Sequence, residues 1–222
     1  MHPISIRPYQ SADEAAIQEI TYRTGFKGED MTGRGFCDDA RLWFLIFIAY
    51  YTRYEPEHFF VAEDKGNHQV IGFICGTPDT LAQEASFRIR MVPRIVLRLF
   101  GYTSWHYPRS FKTVFKMARQ YSSGTEDAVN DPIITAYPAH LHINILPGYQ
   151  GRSVGSRLIA KFEEHMRNLR IPGIHLGTTN KNYKAVPFYQ KMGYSIVQES
   201  EIVPHPDFDD LKYLMFAKKL QT

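Results

Sequence analysis

Two stretches of the chain hold residue types that do chemistry at useful spacing. The first, His140 to Ser156, reads HLHINILPGYQGRSVGS. His140 and His142 alternate in a strand-like run and so share one face. An imidazole with an ordinary pKa near 6.5 there suits the removal of a proton from an amine. The pair also suggests a metal, but no third ligand stands out beside it, and no metal is expected. After Pro147 the turn Gln150-Gly151-Arg152-Ser153-Val154-Gly155-Ser156 leads into an amphipathic pattern. A helix start exposes unpaired N–H groups and the positive end of the macrodipole, so a loop of this kind can hold a phosphate. Gly151 and Gly155 clear the approach to the backbone, and Arg152 adds a charged donor. The second stretch, Asn182 to Tyr194, reads NYKAVPFYQKMGY. Its Asn182 and Tyr189 lie seven positions apart, which places them on one face of a helix.

Known phosphate loops narrow the reading. A nucleotide-binding loop of the Gly-Lys-Ser/Thr type is absent. A dinucleotide fingerprint needs an acidic residue at the end of the next strand, where Gly177 and Thr178 stand instead.

The elements that must position these residues follow from periodicity. Ile4 to Arg7 is strand-like, and a helix through Ala15, Ala16, Ile17 and Ile20 comes after it. The apolar run Leu42 to Tyr51 is half the length that spans a bilayer and is expected as a buried helix. His58 to Glu63 and Val70 to Gly76 form a predicted hairpin about the turn KGNHQ. In the second half, Leu141 to Leu146 is a strand and Val154 to Arg170 a helix, with Val154, Leu158, Ile159, Phe162, Met166 and Leu169 on its buried face. Ile174 to Gly177 follows as a strand, Tyr183 to Met192 as a helix, and Ser195 to Val203 and Leu211 to Ala217 as two closing strands. The strand, helix, strand order is a crossover unit, so the expected fold class is α/β with a parallel or mixed sheet.

Composition sets bounds. The 222 residues suit one domain, spanning 1–222, and 44% hydrophobic with 22% charged residues is ordinary for a globular protein. A net charge of +3 is too small to imply specific nucleic-acid binding. The two cysteines, Cys37 and Cys75, form no metal or disulfide pattern, and a reducing compartment fits, the cytoplasm or the nucleus. The opening residues show no basic start or apolar core of a signal peptide, and no transmembrane segment is expected. Residues 80–136 are expected to be a helical insertion between the third and fourth strands. From Ser86 to Tyr121 it carries eight basic residues and no Asp or Glu. Solvated helix faces, a lid for an anionic acceptor, a partner surface and a membrane-surface contact all remain open for it.

The two motifs together resemble the GCN5-related N-acetyltransferase (GNAT) family. That family carries Gln/Arg-x-x-Gly-x-Gly/Ala after a strand, matched here by Gln150, Gly151, Arg152, Val154 and Gly155, with Ser153 departing from its glycine. Its second signature is matched at Asn182, Ala185, Phe188, Tyr189, Lys191, Gly193 and Tyr194. His-x-His before the loop resembles, within the family, the acetyltransferase-like domains attached to some O-GlcNAc hydrolases, a group that includes domains without catalysis. The resemblance implies a single-domain GNAT fold, a mixed sheet of about seven strands flanked by helices. It implies acetyl-CoA as co-substrate, lying in a splay between the fourth and fifth strands with its pantetheine against backbone near Ile143 and Ile145. The pyrophosphate would accept N–H groups from Gln150 to Ser156, with Phe188 also at the cofactor. Asn182 would bond the pantetheine, and Tyr189 would protonate the departing thiolate. The implied reaction is direct acetyl transfer to a primary amine, in a small amine, an amino sugar or a peptide. The alternative is a catalytically silent module that binds CoA or a partner. A homodimer is left open, and Glu29 and Asp30 fall in a loop that borders the acceptor in the family.

Each residue also has a plainer reading. Ser153 is a favoured helix cap, and Asn182 can cap the helix after it. Tyr189 can be a core aromatic. His140, His142 and the weaker candidate His175 can be structural, and Cys75 is expected as inert packing rather than an acyl carrier.

Overall fold

The computed structural model describes residues 3–25, 29–33, 37–121, 131–203 and 209–220, without the side chains of 117–121. Arg119 of the basic segment and residues 122–130 of the insertion therefore lie outside the described parts. Seven strands form one sheet: β1 (Ile4–Pro8), β2 (Phe59–Asp64), β3 (Gln69–Thr77), β4 (Ala139–Ile145), β5 (Gly173–Thr179), β6 (Ser195–Glu199) and β7 (Tyr213–Lys219). Their order is β1-β2-β3-β4-β5-β7-β6, antiparallel throughout except at β4–β5. This is the mixed sheet of seven strands that the resemblance implies.

The central strands read as continuous apolar runs because both of their faces are covered. All six residues of β2 are buried, as are Val70 to Thr77 of β3. One face packs α9 (Val154–Asn168) and α10 (Ala185–Lys191) against Leu141, Leu176 and Phe216. In α9, Val154, Leu158, Ile159, Phe162 and Met166 are buried, at roughly 2 kcal/mol each for a large side chain. Leu169 departs from the expected stripe. The helix ends at Asn168, and Leu169 is exposed at its C-cap.

The other face packs α1 (Glu14–Arg23), α2 (Ala40–Phe47) and α3 (Ala49–Tyr54) against Phe59, Phe73 and Cys75. The apolar run expected as one buried helix is thus two, broken at Ile48.

Between β3 and β4 the insertion forms α4 (Thr80–Arg90), α5 (Val92–Arg98), a π-helical turn (Leu99–Thr103), α6 (Ser104–His106), α7 (Pro108–Tyr121) and α8 (Pro132–Ala136). It docks through a third apolar cluster, in which Leu99 and Val114 meet Leu42 and Trp43. Asp39 anchors it. Its carboxylate accepts the Leu42 N–H at 3.0 Å, capping α2, and also accepts Arg98 Nη2 at 2.8 Å and the Thr103 hydroxyl at 2.5 Å. Burial works to raise the Asp39 pKa, but the bonds from Arg98 and Thr103 outweigh it and hold the group below its usual value. Replacing Asp39 by Ala removes a cap and strands a cation. We expect about 3 kcal/mol of lost stability in urea unfolding, with new proteolytic cuts inside 80–121.

Candidate active site

The site begins where the sheet opens. β4 and β5 pair at only two positions, Ala139 with Ile174 and His140 with His175, whereas β4 pairs with β3 along its length from His140 to Ile145. Main-chain groups alternate sides along a strand. Since Leu146 N–H bonds Ile71 O on the β3 side, the groups of Ile143 and Ile145 face β5. Beyond His140 they face a gap rather than a strand.

Below that gap lies the turn. Gln150 Nε2 donates to Ile145 O at 3.1 Å and ties the loop to the strand end. Gly151 has φ +73° with open space above its α-carbon. Ser153 also takes a left-handed conformation, φ +61°, and its side chain makes no capping bond. The expected cap is therefore not formed. The backbone shows instead why the family pattern has glycine at this place, since a β-carbon in that conformation costs about 1–2 kcal/mol. Among the described residues, the N–H groups from Gly151 to Ser156 make no hydrogen bond, so six consecutive donors stand ahead of and within the first turn of α9. Arg152 lies exposed over the Tyr149 ring, 5.3 Å from its centre. Gly155 is buried against Phe188 and Ile145, where a β-carbon would come within 3.0 Å of the Phe188 ring. Phe188 thereby docks α10 on α9 at the mouth of the gap.

Asn182 and Tyr189 do not share a helix, because α10 starts at Ala185 and Asn182 precedes it. Pro187 then falls in the first turn, where its missing N–H costs nothing. Asn182 Oδ1 accepts the Ala185 N–H at 3.2 Å, which holds the turn that leads into α10, while its amide nitrogen has no partner among the described residues. The Tyr189 ring is buried in the core beside Phe188 and Phe216. Its hydroxyl makes no hydrogen bond among the described residues, and burial pushes its pKa up to about 12, so it is protonated at neutral pH.

The two histidines of β4 share a face but differ in environment. His140 is held on both ring nitrogens: Thr80 Oγ1 lies 2.9 Å from Nδ1, and Tyr51 Oη lies 2.5 Å from Nε2. Thr80 spends its proton on Pro138 O at 2.7 Å, so it accepts from Nδ1–H, and Tyr51 must donate to Nε2. Burial lowers the His140 pKa well below its usual value. Its expected role as a base is not supported by this arrangement, which leaves no ring nitrogen free. Tyr51, which sequence reasoning missed, is the partner that binds it, and only the fold brings the two together.

His142 has no hydrogen bond to its ring among the described residues. It lines a pocket of about 160 Å³ with Thr21, Thr24 and Gly25 at the end of α1, Trp43 and Phe47 of α2, and Asn144. Asn144 Nδ2 donates to Thr24 Oγ1 at 2.6 Å and was not foreseen either. Burial, and secondarily His175, push the His142 pKa down to about 4, so the ring is neutral at pH 7. His175 donates from Nδ1 to Tyr137 O at 2.6 Å, which makes it structural. Cys75 stands directly across the ladder from His142, a base that the sequence did not reveal. Its thiol is nonetheless fully buried and raised well above its usual pKa by desolvation, which suits packing. Asp30 accepts the Thr32 N–H at 2.8 Å and lies 3.5 Å from Arg23. Its neighbour Met31 packs against the Gly25 and Trp43 end of the pocket.

A family model for the acetyltransferase (GNAT) family matches residues 130–194, which contain the turn and the Asn182 to Tyr194 motif. Among solved structures, the chain is similar to SsHAT, with 29% identity over 99% of both chains and a TM-score of 0.75. It is similar in fold to yncA of Salmonella typhimurium, a structure with its cofactor acetyl-CoA, at 14% identity over 98% of this chain and 94% of that one, TM-score 0.58. Naa20 of Chaetomium thermophilum, in complex with a bisubstrate analogue, shares 16% identity over 97% and 86% of the chains, TM-score 0.55.

Two outcomes follow from the geometry. Ser153→Gly relieves the left-handed strain while adding freedom to the unfolded chain, for a net gain of up to about 1 kcal/mol in denaturant unfolding. The folded pKa values of His140, His142, His175, His58 and His165 all lie below the unfolded value. The stability from keeping these rings neutral is therefore full above about pH 6.5 and declines as pH falls through the window that reaches about 4 for His142, because the unfolded chain takes up protons first. Urea midpoints should hold level from pH 7.5 to about pH 6.5 and then fall as the pH is lowered to 5.

Proposed function

We propose that this chain, which has the GNAT acetyltransferase fold and matches that family over residues 130–194, is an N-acetyltransferase that moves an acetyl group from acetyl-CoA to an amine seated beside His142. The observation that carries the reading is the gap between β4 and β5 with six free N–H donors at its foot. The residues fit the co-substrate. The turn from Gln150 to Ser156 suits the pyrophosphate, with Arg152 as an added cation. The main-chain groups of Ile143 and the N–H of Ile145, which face the gap, suit the amide-bearing pantetheine, and the amide nitrogen of Asn182, without a partner among the described residues, suits its carbonyls.

Among the described residues, the lining of the pocket beside His142 holds no carboxylate, so it takes the amine uncharged rather than holding an ammonium. The amine nitrogen attacks the thioester carbonyl carbon, forming the C–N bond as the C–S bond breaks. His142 accepts the proton that the amine gives up, and Tyr189 delivers one to the departing thiolate. Orientation in the gap and the pocket supplies much of the rate, with proton transfer contributing on the order of 10²–10⁴-fold. Asn144, fixed by Thr24, orients the acceptor.

The test is acetyl-CoA binding by calorimetry, followed by release of free thiol against a panel of small amines, amino sugars and peptides. Binding without thiol release from any of them would favour the silent module, and no binding would overturn the reading of the turn. Tyr189→Phe is expected to lower kcat on the order of 10²-fold or more with little change in acetyl-CoA affinity. His142→Gln should do the same, whereas His140→Gln should act chiefly through stability.

A further inference from the structure

The insertion keeps one face for the core and leaves the other bare. Along α4, α5 and the π-helical turn, Met91, Leu99 and Thr103 are buried, while Ile89, Val96 and Phe100 lie on the opposite side at spacings that keep them on one stripe. Ile89, Leu97 and Trp105 are 77, 75 and 82% exposed. The stripe continues onto α7. The half-exposed rings of Phe100 and Phe115 are joined through Phe111, at 5.4 and 6.0 Å between centres. Single exposed apolar residues are ordinary, but a contiguous aromatic patch marks a contact surface.

The charge along residues 86–121 has one sign. No Asp or Glu occurs from Ser86 to Tyr121. Arg98 is committed to Asp39 and Arg90 stacks on Tyr54, but Arg94, Arg109, Lys112 and Lys116 are exposed and make no ion pair among the described residues. Among the described residues, Arg88 has only the long 4.0 Å approach of Glu84.

We infer that this face binds the surface of an anionic lipid bilayer, with Leu97, Phe100, Trp105 and Phe115 entering the headgroup boundary and the cations meeting lipid phosphates and carboxylates. The charge is complementary to that surface. A second copy fits poorly, because a two-fold pairing of the patch would set these cations against one another. A folded protein partner would need pockets matching side chains that stand out at three-quarters exposure, whereas a bilayer accepts protruding aromatics in any arrangement and lets Arg and Lys reach back to its headgroups. No helix among the described residues is long and apolar enough to cross a membrane, so the contact lies along the surface.

The experiment is flotation of the full chain with phosphatidylcholine vesicles, with and without phosphatidylserine. The inference expects flotation only with phosphatidylserine, release by high salt, and a blue shift of tryptophan emission on binding. Trp43 is buried, so Trp105 reports that shift. The triple variant Arg109→Gln, Lys112→Gln, Lys116→Gln should lower vesicle affinity on the order of a hundredfold. Leu97→Ser with Trp105→Ser should abolish most of the binding while the thermal midpoint stays unchanged. Failure of the wild type to float with phosphatidylserine would overturn the inference, as would undiminished flotation of the Leu97/Trp105 variant. A dimer in solution that this variant makes monomeric, without vesicle binding by the wild type, would assign the patch to a second copy.

Discussion

The two-residue pairing between β4 and β5 is the constraint on which the remaining structure depends. A parallel ladder that stops after Ala139 and His140 leaves main-chain donors and acceptors of β4 facing a cleft. Buried groups of this kind need partners, and a ligand with its own amides can supply them. The β3–β4 ladder holds β4 rigid on its other side, and α9 and α10 close the cleft by packing on the two halves of the sheet. The turn before α9 then has one place to go, with Gln150 bonded back to Ile145 and its N–H groups turned outward.

The same register sorts the histidines. Residues 140, 142 and 144 share the face toward α1 to α3, so all three enter one layer, yet each meets different neighbours there. His140 is opposite Thr80 and Tyr51 and becomes part of a hydrogen-bonded strut between the insertion and α3. His142, two residues on, meets the gap between α1 and α2 and keeps its nitrogens free. Asn144 is tied to the end of α1. An alternating pattern therefore yields a strut, a candidate base and an amide tied to α1 in sequence.

The insertion shows how a surface and a site are coupled by packing. Trp43 and Phe47 line the pocket beside His142 and also pack in the cluster that holds Leu99 and Val114. The Asp39 carboxylate caps α2 and clamps Arg98 and Thr103 of the insertion. Whatever engages the outer face of α4 to α7 acts on elements that are contiguous with the wall of the His142 pocket.

Much of this was legible from residue order, because local rules are carried by local residues. Periods of two and of 3.6 located the strands and helices of both halves, the crossover at residues 141–177 required parallel pairing somewhere, and the turn and the Asn182 to Tyr194 motif marked two parts of one site. The errors were local too: the break at Ile48, the exposure of Leu169, and the placing of Asn182 on a helix that starts at Ala185. Tertiary structure alone decided the contacts between distant segments. Tyr51 reaching His140, Thr24 reaching Asn144, and Asp39 reaching Arg98 depend on how three layers stack, and no spacing along the chain encodes that. Sequence named Ser153 as the odd residue of the turn, and its left-handed backbone shows why, since the conformation is imposed by the path from β4 into α9 rather than by the serine itself.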